Sequence, residues 1–319
     1  MNVAVRGGRT RTVFIGSGAF GVEALRTLAA MPEIAVVGIV SAPARPVGRR
    51  QEVTPSPVEL EARALGLAPV VTPERLRDPA SIVEVLALGA RFAVLADYGR
   101  IVPASLLDLP HGALNLHPSL LPRHRGAAPI PATILAGDTE TGVSIIRMDE
   151  GVDTGPIVAT ERVPLAGRET APELESHLAT VAAGLLARTV GPWLRGEIEP
   201  VAQDESLATL TRPLRRADGR LDPQRPAVQL ERAVRAHMPW PGSYVETTLT
   251  GRLIVRSATV GPSASTDEPG RLVPEGDGLA LATVDGRLLL GQVQLEGRRA
   301  MDGPTLRRGA PGLVGAMVA

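Results

Sequence analysis

The chain has 319 residues, 44% apolar and 2% aromatic, with 34 basic against 34 acidic side chains and no formal net charge. This suits about two packed domains with aliphatic cores, and argues against a disordered chain or one that coats nucleic acid without specificity. There is no cysteine, which removes disulfides, thiolate metal sites and a thiol nucleophile. No apolar run is long enough for a membrane span and residues 1–11 lack the apolar core of a secretory signal, so a cytoplasmic location is expected.

In chain order, the pattern predicts a first strand at Thr12–Gly16, a helix at Ala19–Met31 and a second strand at Glu33–Ser41. A helix at Val58–Leu65, a short strand near Pro69–Val71, a helix near Ile82–Leu88 and a strand at Arg91–Ala96 follow. Then come a strand at Ala113–Leu116, a helix at Pro129–Ala136, strands at Thr141–Arg147 and Pro156–Val163, and a long helix at Thr170–Val190 stopped by Gly191-Pro192. Strands alternating with helices predict an α/β fold, Rossmann-like, with a mostly parallel sheet. Beyond Glu197 the chain turns polar, then a helix at Pro226–His237 leads into short alternating runs (Ser243–Leu249, Arg252–Val260, Gly278–Val284, Leu288–Val293) between Gly, Asp and Pro turns. That texture predicts a small β-barrel or sandwich, with Thr266–Pro269 as a loop. The expected organisation is 1–198 as the first domain, 199–217 as an exposed linker and 218–319 as an OB-like C-terminal β-barrel.

Gly16-Ser17-Gly18-Ala19-Phe20-Gly21 fits the dinucleotide fingerprint G-x-G-x-x-G after a strand and before a helix. That fingerprint wants an acid at the end of the second strand for the ribose, where this chain has Val40-Ser41-Ala42-Pro43. Arg45 keeps an NADP-dependent oxidoreductase in play. The favoured reading is a tight strand-to-helix turn in which glycine lets backbones approach.

The densest chemistry lies in His111–Pro129. Asn115 is the only asparagine after position 2, and three of five histidines (His111, His117, His124) share this stretch. Residues two apart on a strand face the same side, so Asn115 and His117 can address one reacting centre as amide donor and imidazole. The histidine spacing, with no interleaved carboxylate, matches no usual zinc pattern, so no metal is expected. Leu121–Pro122 is a candidate cis bond. A second cluster, Met148–Pro156, holds Asp149, Glu150 and Asp153 in a glycine turn; composition does not say which acid matters.

Asn115-Leu116-His117-Pro118-Ser119-Leu120-Leu121-Pro122, Arg125-Gly126-Ala127-Ala128-Pro129-Ile130, Gly137-Asp138, Thr141-Gly142-Val143 and Gly151-Val152-Asp153-Thr154-Gly155 together resemble the folate-dependent formyltransferase family. The likeness extends to Arg45–Arg49, Pro55–Val58, Pro239-Trp240-Pro241 and Ala300-Met301, and so covers about residues 11–308. The resemblance implies formyl transfer from 10-formyltetrahydrofolate to the α-amine of methionine carried by initiator tRNA, without metal or nicotinamide. It implies Asn115, His117 and Asp153 as the catalytic trio, with Ser119, Leu120, Leu121 and Pro122 in the folate-binding loop beside the Ala96–Gly99 turn. For tRNA it points to Arg45, Arg49 and Arg50, with Arg215 and Arg216 as further phosphate contacts. A monomer is expected. An amino-sugar nucleotide as acceptor is the alternative within the family. The departures are Gly16-Ser17-Gly18-Ala19-Phe20 where the family has Gly-Thr-Pro-x-Phe, Asp97 where an apolar residue is common, His124 for an aromatic, and Gln51-Glu52 for two lysines.

Overall fold

The structure is a computed structural model and describes residues 8–47, 51–247, 249–262 and 267–318. By contact it divides into two compact units: residues 1–129, 140–164 and 175–211, and residues 130–139, 165–174 and 212–319.

The first unit is built on β1 (Thr10–Gly16), α1 (Phe20–Ala30), β2 (Ile34–Val40), the hairpin β3 (Arg45–Val47) and β4 (Glu52–Thr54), α2 (Pro57–Ala64), β5 (Val70–Val71), α3 (Pro79–Ala87) and β6 (Phe92–Ala96). There follow β7 (Ala113–His117), β8 (Arg125–Gly126), α4 (Pro129–Ala136), β9 (Glu140–Arg147), β10 (Ile157–Pro164) and α5 (Ala171–Leu194), of which α4 and the first turn of α5 fall to the second unit. A seven-stranded sheet runs β10-β9-β7-β6-β1-β2-β5. Its pairs are parallel from β5 to β7 and antiparallel at β7–β9 and β9–β10, which is the mostly parallel α/β sheet the alternation predicts. Side chains sort by strand period: Val13, Ile15, Ala93, Leu95 and Ala113 pack with Leu76, Val85 and Leu106 on one face, while Phe14, Leu114 and Leu116 are buried on the other. Each of the larger side chains (Val, Leu, Ile, Phe) contributes about 1.5–3 kcal/mol on burial. The α2 terminus is local chemistry: Ser56 Oγ accepts from the Glu59 N–H at 3.0 Å and Pro57 sits in the first turn.

Two expectations are corrected here. The last long helix does not stop at Gly191-Pro192; α5 runs through both to Leu194. Pro192 lacks the N–H that would bond the Arg188 carbonyl, but Trp193 Nε1 anchors this last turn by donating to the His111 carbonyl at 2.9 Å. The stop is at Gly196, with φ +71°, where the Glu197 N–H reaches back to the Pro192 carbonyl at 3.0 Å. The second correction concerns the linker. Within 199–217, Val201 exchanges main-chain bonds with Ile157 at 2.7 and 2.8 Å, and β11 (Leu210–Thr211) pairs in parallel with β8, so its first part is structural in the first unit.

The second unit holds α6 (Ala227–Ala236), followed by β12 (Ser243–Thr247), β13 (Gly251–Val255), β14 (Ala258–Gly261), β15 (Leu272–Glu275), β16 (Gly278–Ala282), β17 (Arg287–Leu290), β18 (Gln292–Leu295), β19 (Met301–Asp302) and α7 (Gly303–Gly309). The predicted small barrel takes the form of two four-stranded antiparallel sheets, β12-β13-β18-β19 and β14-β17-β16-β15. They share one apolar cluster that includes Leu230, Val245, Leu253, Leu281 and Leu288. Arg252–Val260 and Leu288–Val293, each read as one run, are each divided between two strands. Most of the Thr266–Pro269 loop lies within described residues, but Thr266 does not.

Candidate functional site

The sheet delivers the site at the C-terminal end of β7. In Ala-Leu-Asn-Leu-His, Leu114 and Leu116 fill the core and turn Asn115 and His117 together to the opposite face. Asp153 meets both: its Oδ1 accepts from Asn115 Nδ2 at 3.3 Å, and its Oδ2 lies 3.5 Å from His117 Nδ1 and accepts the Gly126 N–H at 2.8 Å. His117 Nε2 donates to the His124 carbonyl at 2.9 Å, so this buried ring is held from both sides.

The acid left open by composition is settled by position. Asp149 Oδ1 accepts from the Gly151 N–H at 3.0 Å and the Thr154 hydroxyl at 2.8 Å, which shapes the turn. Glu150 is exposed, and Asp153 is the acid that reaches β7. It does so with φ +54°, an uncommon conformation for a residue with a side chain. The three histidines do not converge. His111 precedes β7 and His117 ends it, separated by roughly 13 Å or more of strand. Among the described residues no group of metal-ligating side chains gathers.

In the Ser119–Pro122 loop Ser119 and Leu121 are buried, Leu120 and Pro122 half-buried, and the Leu121–Pro122 bond is cis. Ser144 joins it to β9: its hydroxyl donates to the Ser119 carbonyl at 2.8 Å and accepts from the Leu121 N–H at 3.1 Å. With Ser119 Oγ donating to the Arg123 carbonyl at 2.7 Å, much of the loop's polar capacity is engaged internally, and what it can offer a ligand is mainly shape and apolar surface. Next to the Asp149 turn lies a cleft of about 300 Å³, lined by Leu107, Asp108, Arg147, Met148, Asp149 and Glu150 among others.

The glycine turn is not built for a pyrophosphate. The Ser17 and Gly18 N–H groups donate to the Asp97 carbonyl at 3.0 and 3.1 Å, occupying amides that an anion would need. A Cβ on Gly16 would stand 2.5 Å from the Ala96 carbonyl, and one on Gly18 would stand 1.5 Å from Asp97 Oδ2. A backbone carbonyl therefore demands glycine at Gly16, while at Gly18 a Cβ would displace only the Asp97 carboxylate. Two departures from the family pattern, Gly18 and Asp97, turn out to be one fit. Asp97 is reached by solvent but hemmed in by protein, and desolvation pushes its carboxyl above the usual range; Glu175 is raised for the same reason, with the Asp97 charge adding to it.

Arg45 is exposed on β3, paired in register with Thr54; Arg49 and Arg50 lie outside the described residues. Arg215 and Arg216 are both exposed in the second unit, beside an Arg212–Asp218 pair at 2.6 and 2.7 Å. His124, which replaces the family's aromatic, is buried, with φ +59° and its N–H on Thr209 Oγ1 at 2.8 Å. Sequence reasoning missed Gln203 and Glu205, which grip Arg125. That arginine is 3% exposed, and a buried guanidinium demands partners; the motif containing Arg125 was the available signal.

The cluster of amide, imidazole and carboxylate lies at the C-terminal end of an open α/β sheet, where such folds bind ligands. A family model described as formyl transferase matches residues 10–190, and one described as formyl transferase, C-terminal domain, matches residues 213–311. The chain belongs to the formyltransferase family. Within that family it is 41% identical over 300 residues to the methionyl-tRNA formyltransferase of Roseiflexus sp. (strain RS-1), covering 94% of this chain and 92% of the relative. It is 42% identical over 297 residues to that of Chloroflexus aurantiacus (strain ATCC 29366 / DSM 635 / J-10-fl), covering 92% and 94%. The solved N-formyltransferase from Helicobacter canadensis, in complex with folinic acid and dTDP-3-aminofucose, aligns with a TM-score of 0.64 at 14% identity. That alignment covers 89% of this chain and 100% of the other, and at such identity the likeness bears on the fold alone.

Proposed function

We propose that the protein transfers the formyl group of 10-formyltetrahydrofolate to the α-amine of methionyl-initiator-tRNA, in the cytoplasm and as a monomer. The observation that carries the acceptor is the reach of the likeness to methionyl-tRNA formyltransferases, which spans both the segment bearing the Asn115–His117–Asp153 cluster and the C-terminal segment. We assign formyl transfer to the first unit and tRNA binding to both, with Arg45, Arg49 and Arg50 of the first and Arg215 and Arg216 of the second meeting phosphates. Arginine forks onto phosphate better than lysine does, so a chain without lysine is suited to this role.

In the reaction the amine lone pair attacks the formyl carbon, a C–N bond forms and the carbonyl pair becomes an oxyanion. Asn115 uses one amide hydrogen on Asp153 and has a second for that oxyanion. His117 joins it by moving its Nε2–H off the His124 carbonyl. Collapse restores the carbonyl, breaks the bond to the folate nitrogen, and returns the amine proton to that nitrogen through Asp153 and water. For the donor's seat we assign the Ser119–Pro122 loop, which offers a ligand shape and apolar surface.

The test is acceptor choice, using purified protein with labelled 10-formyltetrahydrofolate and no added metal. Label should pass to methionyl-initiator-tRNA. Transfer to an amino-sugar nucleotide with none to tRNA would overturn the acceptor.

A further inference from the structure

We infer that Gln203 is a positioning residue that sets the Asp153 carboxylate, which makes the segment from Val201 to Thr211 part of the reaction centre. The activity measured below rests on the formyl-transfer reading; the geometry does not. The Gln203 amide is used at both ends. Its Nε2 donates to the main-chain carbonyls of Asp153 at 2.8 Å and Gly155 at 2.7 Å. Its Oε1 accepts from Arg125 Nε at 3.0 Å and Nη2 at 2.8 Å. Glu205 holds the Nη1 and Nη2 groups of the same guanidinium at 2.9 and 2.7 Å.

Asp153 is thus gripped twice: at its carboxylate by the Gly126 N–H at 2.8 Å, and at its own carbonyl by Gln203. Both grips lead back to Arg125–Gly126. Aspartate tolerates φ +54° better than most residues with a side chain, yet the conformation is still disfavoured, and the Gln203 bonds to the Asp153 and Gly155 carbonyls help to hold it. The contacts from Asp153 to Asn115 at 3.3 Å and to His117 at 3.5 Å are already long, so a small relaxation of the turn breaks them. Only an amide serves here, since the site needs a donor for two carbonyls and an acceptor for a guanidinium on one side chain.

Gln203→Met and Gln203→Glu, made in the full chain, separate the two halves of this role. Glutamate still accepts from Arg125 but offers no donor to the Asp153 carbonyl. Both variants should lose about 10- to 100-fold in kcat, the order that a misplacement of about 1 Å at a reacting group costs, with KM for folate and for tRNA within about twofold. The Gln203→Glu variant should melt close to wild type, which keeps the test readable if Gln203→Met folds poorly. Added to Asp153→Asn, Gln203→Met should cost little more, because residues acting as a unit are not additive. Hydrogen exchange at the Gly126 amide needs no substrate, and it should quicken in both Gln203 variants. A wild-type rate with unchanged Gly126 protection in Gln203→Glu would overturn the proposal, as would an equal loss in the Asp153→Asn background. An inactive wild type whose Gly126 protection still depends on Gln203 would sink the formyl-transfer reading and leave the positioning role standing.

Discussion

Asn115 and Asp153 share a hydrogen bond, yet their loss should read out differently. Asn115→Ala removes an oxyanion donor, and kcat should fall about 10²-fold or more with KM little changed. Asp153→Ala also releases His117 and the Gly126 N–H, so it should lose as much rate together with some stability. Steady-state kinetics and thermal melts check both, and near-wild-type turnover in either variant would remove that residue from the mechanism. At this scale the strand alternation of Leu114, Asn115, Leu116 and His117 made half of the site legible in the sequence. Asp153 was legible only as one of three acids, because its contact with β7 is made across 36 residues from His117 and a local pattern carries no such information. The Arg125 motif signalled a need for partners but did not pick out Gln203 and Glu205: in a polar stretch, nothing local separates a side chain that grips a buried arginine from one in water.

Among the elements, α5 offers a test of what a glycine is for. Gly191 lies inside the helix, and a Cβ there would meet only the far ends of Arg195 and Glu33, at 3.2 and 3.3 Å. Gly196 holds the left-handed stop, with open space around it. Gly191→Ala should therefore be neutral or stabilise by up to about 1 kcal/mol, whereas Gly196→Ala should cost about 1 kcal/mol. Denaturant melts decide it, and the reverse order would refute the stop. Long periodic helices and buried strands of the first unit were readable, because their apolar spacing is their reason for existing. Shorter strands of the second unit were harder. β15 was missed because Leu-Val-Pro-Glu contains a proline, which this strand tolerates as the last in its sheet. The glycine turn was correctly distrusted, since the absent acid after β2 outweighed the motif.

For the molecule as a whole, zero net charge conceals opposing responses to pH. The Asp97 and Glu175 carboxyls are raised in the fold, so their stabilising share is complete below the unfolded carboxylate range, near pH 4, and is lost as pH rises through their folded values. Asp218 runs the other way: its hydrogen bonds to Arg212 lower it to about 2, so its contribution disappears as pH falls below the usual aspartate range towards that value. Asp97→Asn should accordingly raise the melting temperature more at pH 7 than at pH 4, and an equal change at both would contradict the assignment. Binding of tRNA should weaken steeply with salt while folate binding does not. Arg45→Ala should raise KM for tRNA and spare KM for folate, and equal losses would remove Arg45 from the phosphate contacts.

The pairing of β11 with β8 and the Gln203 clamp bear on how the chain can be divided. A single cut between Val201 and Thr211 would leave Asn115, His117 and Asp153 intact in sequence while untying the side chains that hold Arg125 and the Asp153 turn. A cut at exposed Arg215 or Arg216 would sever none of those bonds. Where this polypeptide is nicked thus matters as much as whether its motifs survive, and the vulnerable stretch falls between the two segments by which its family is identified.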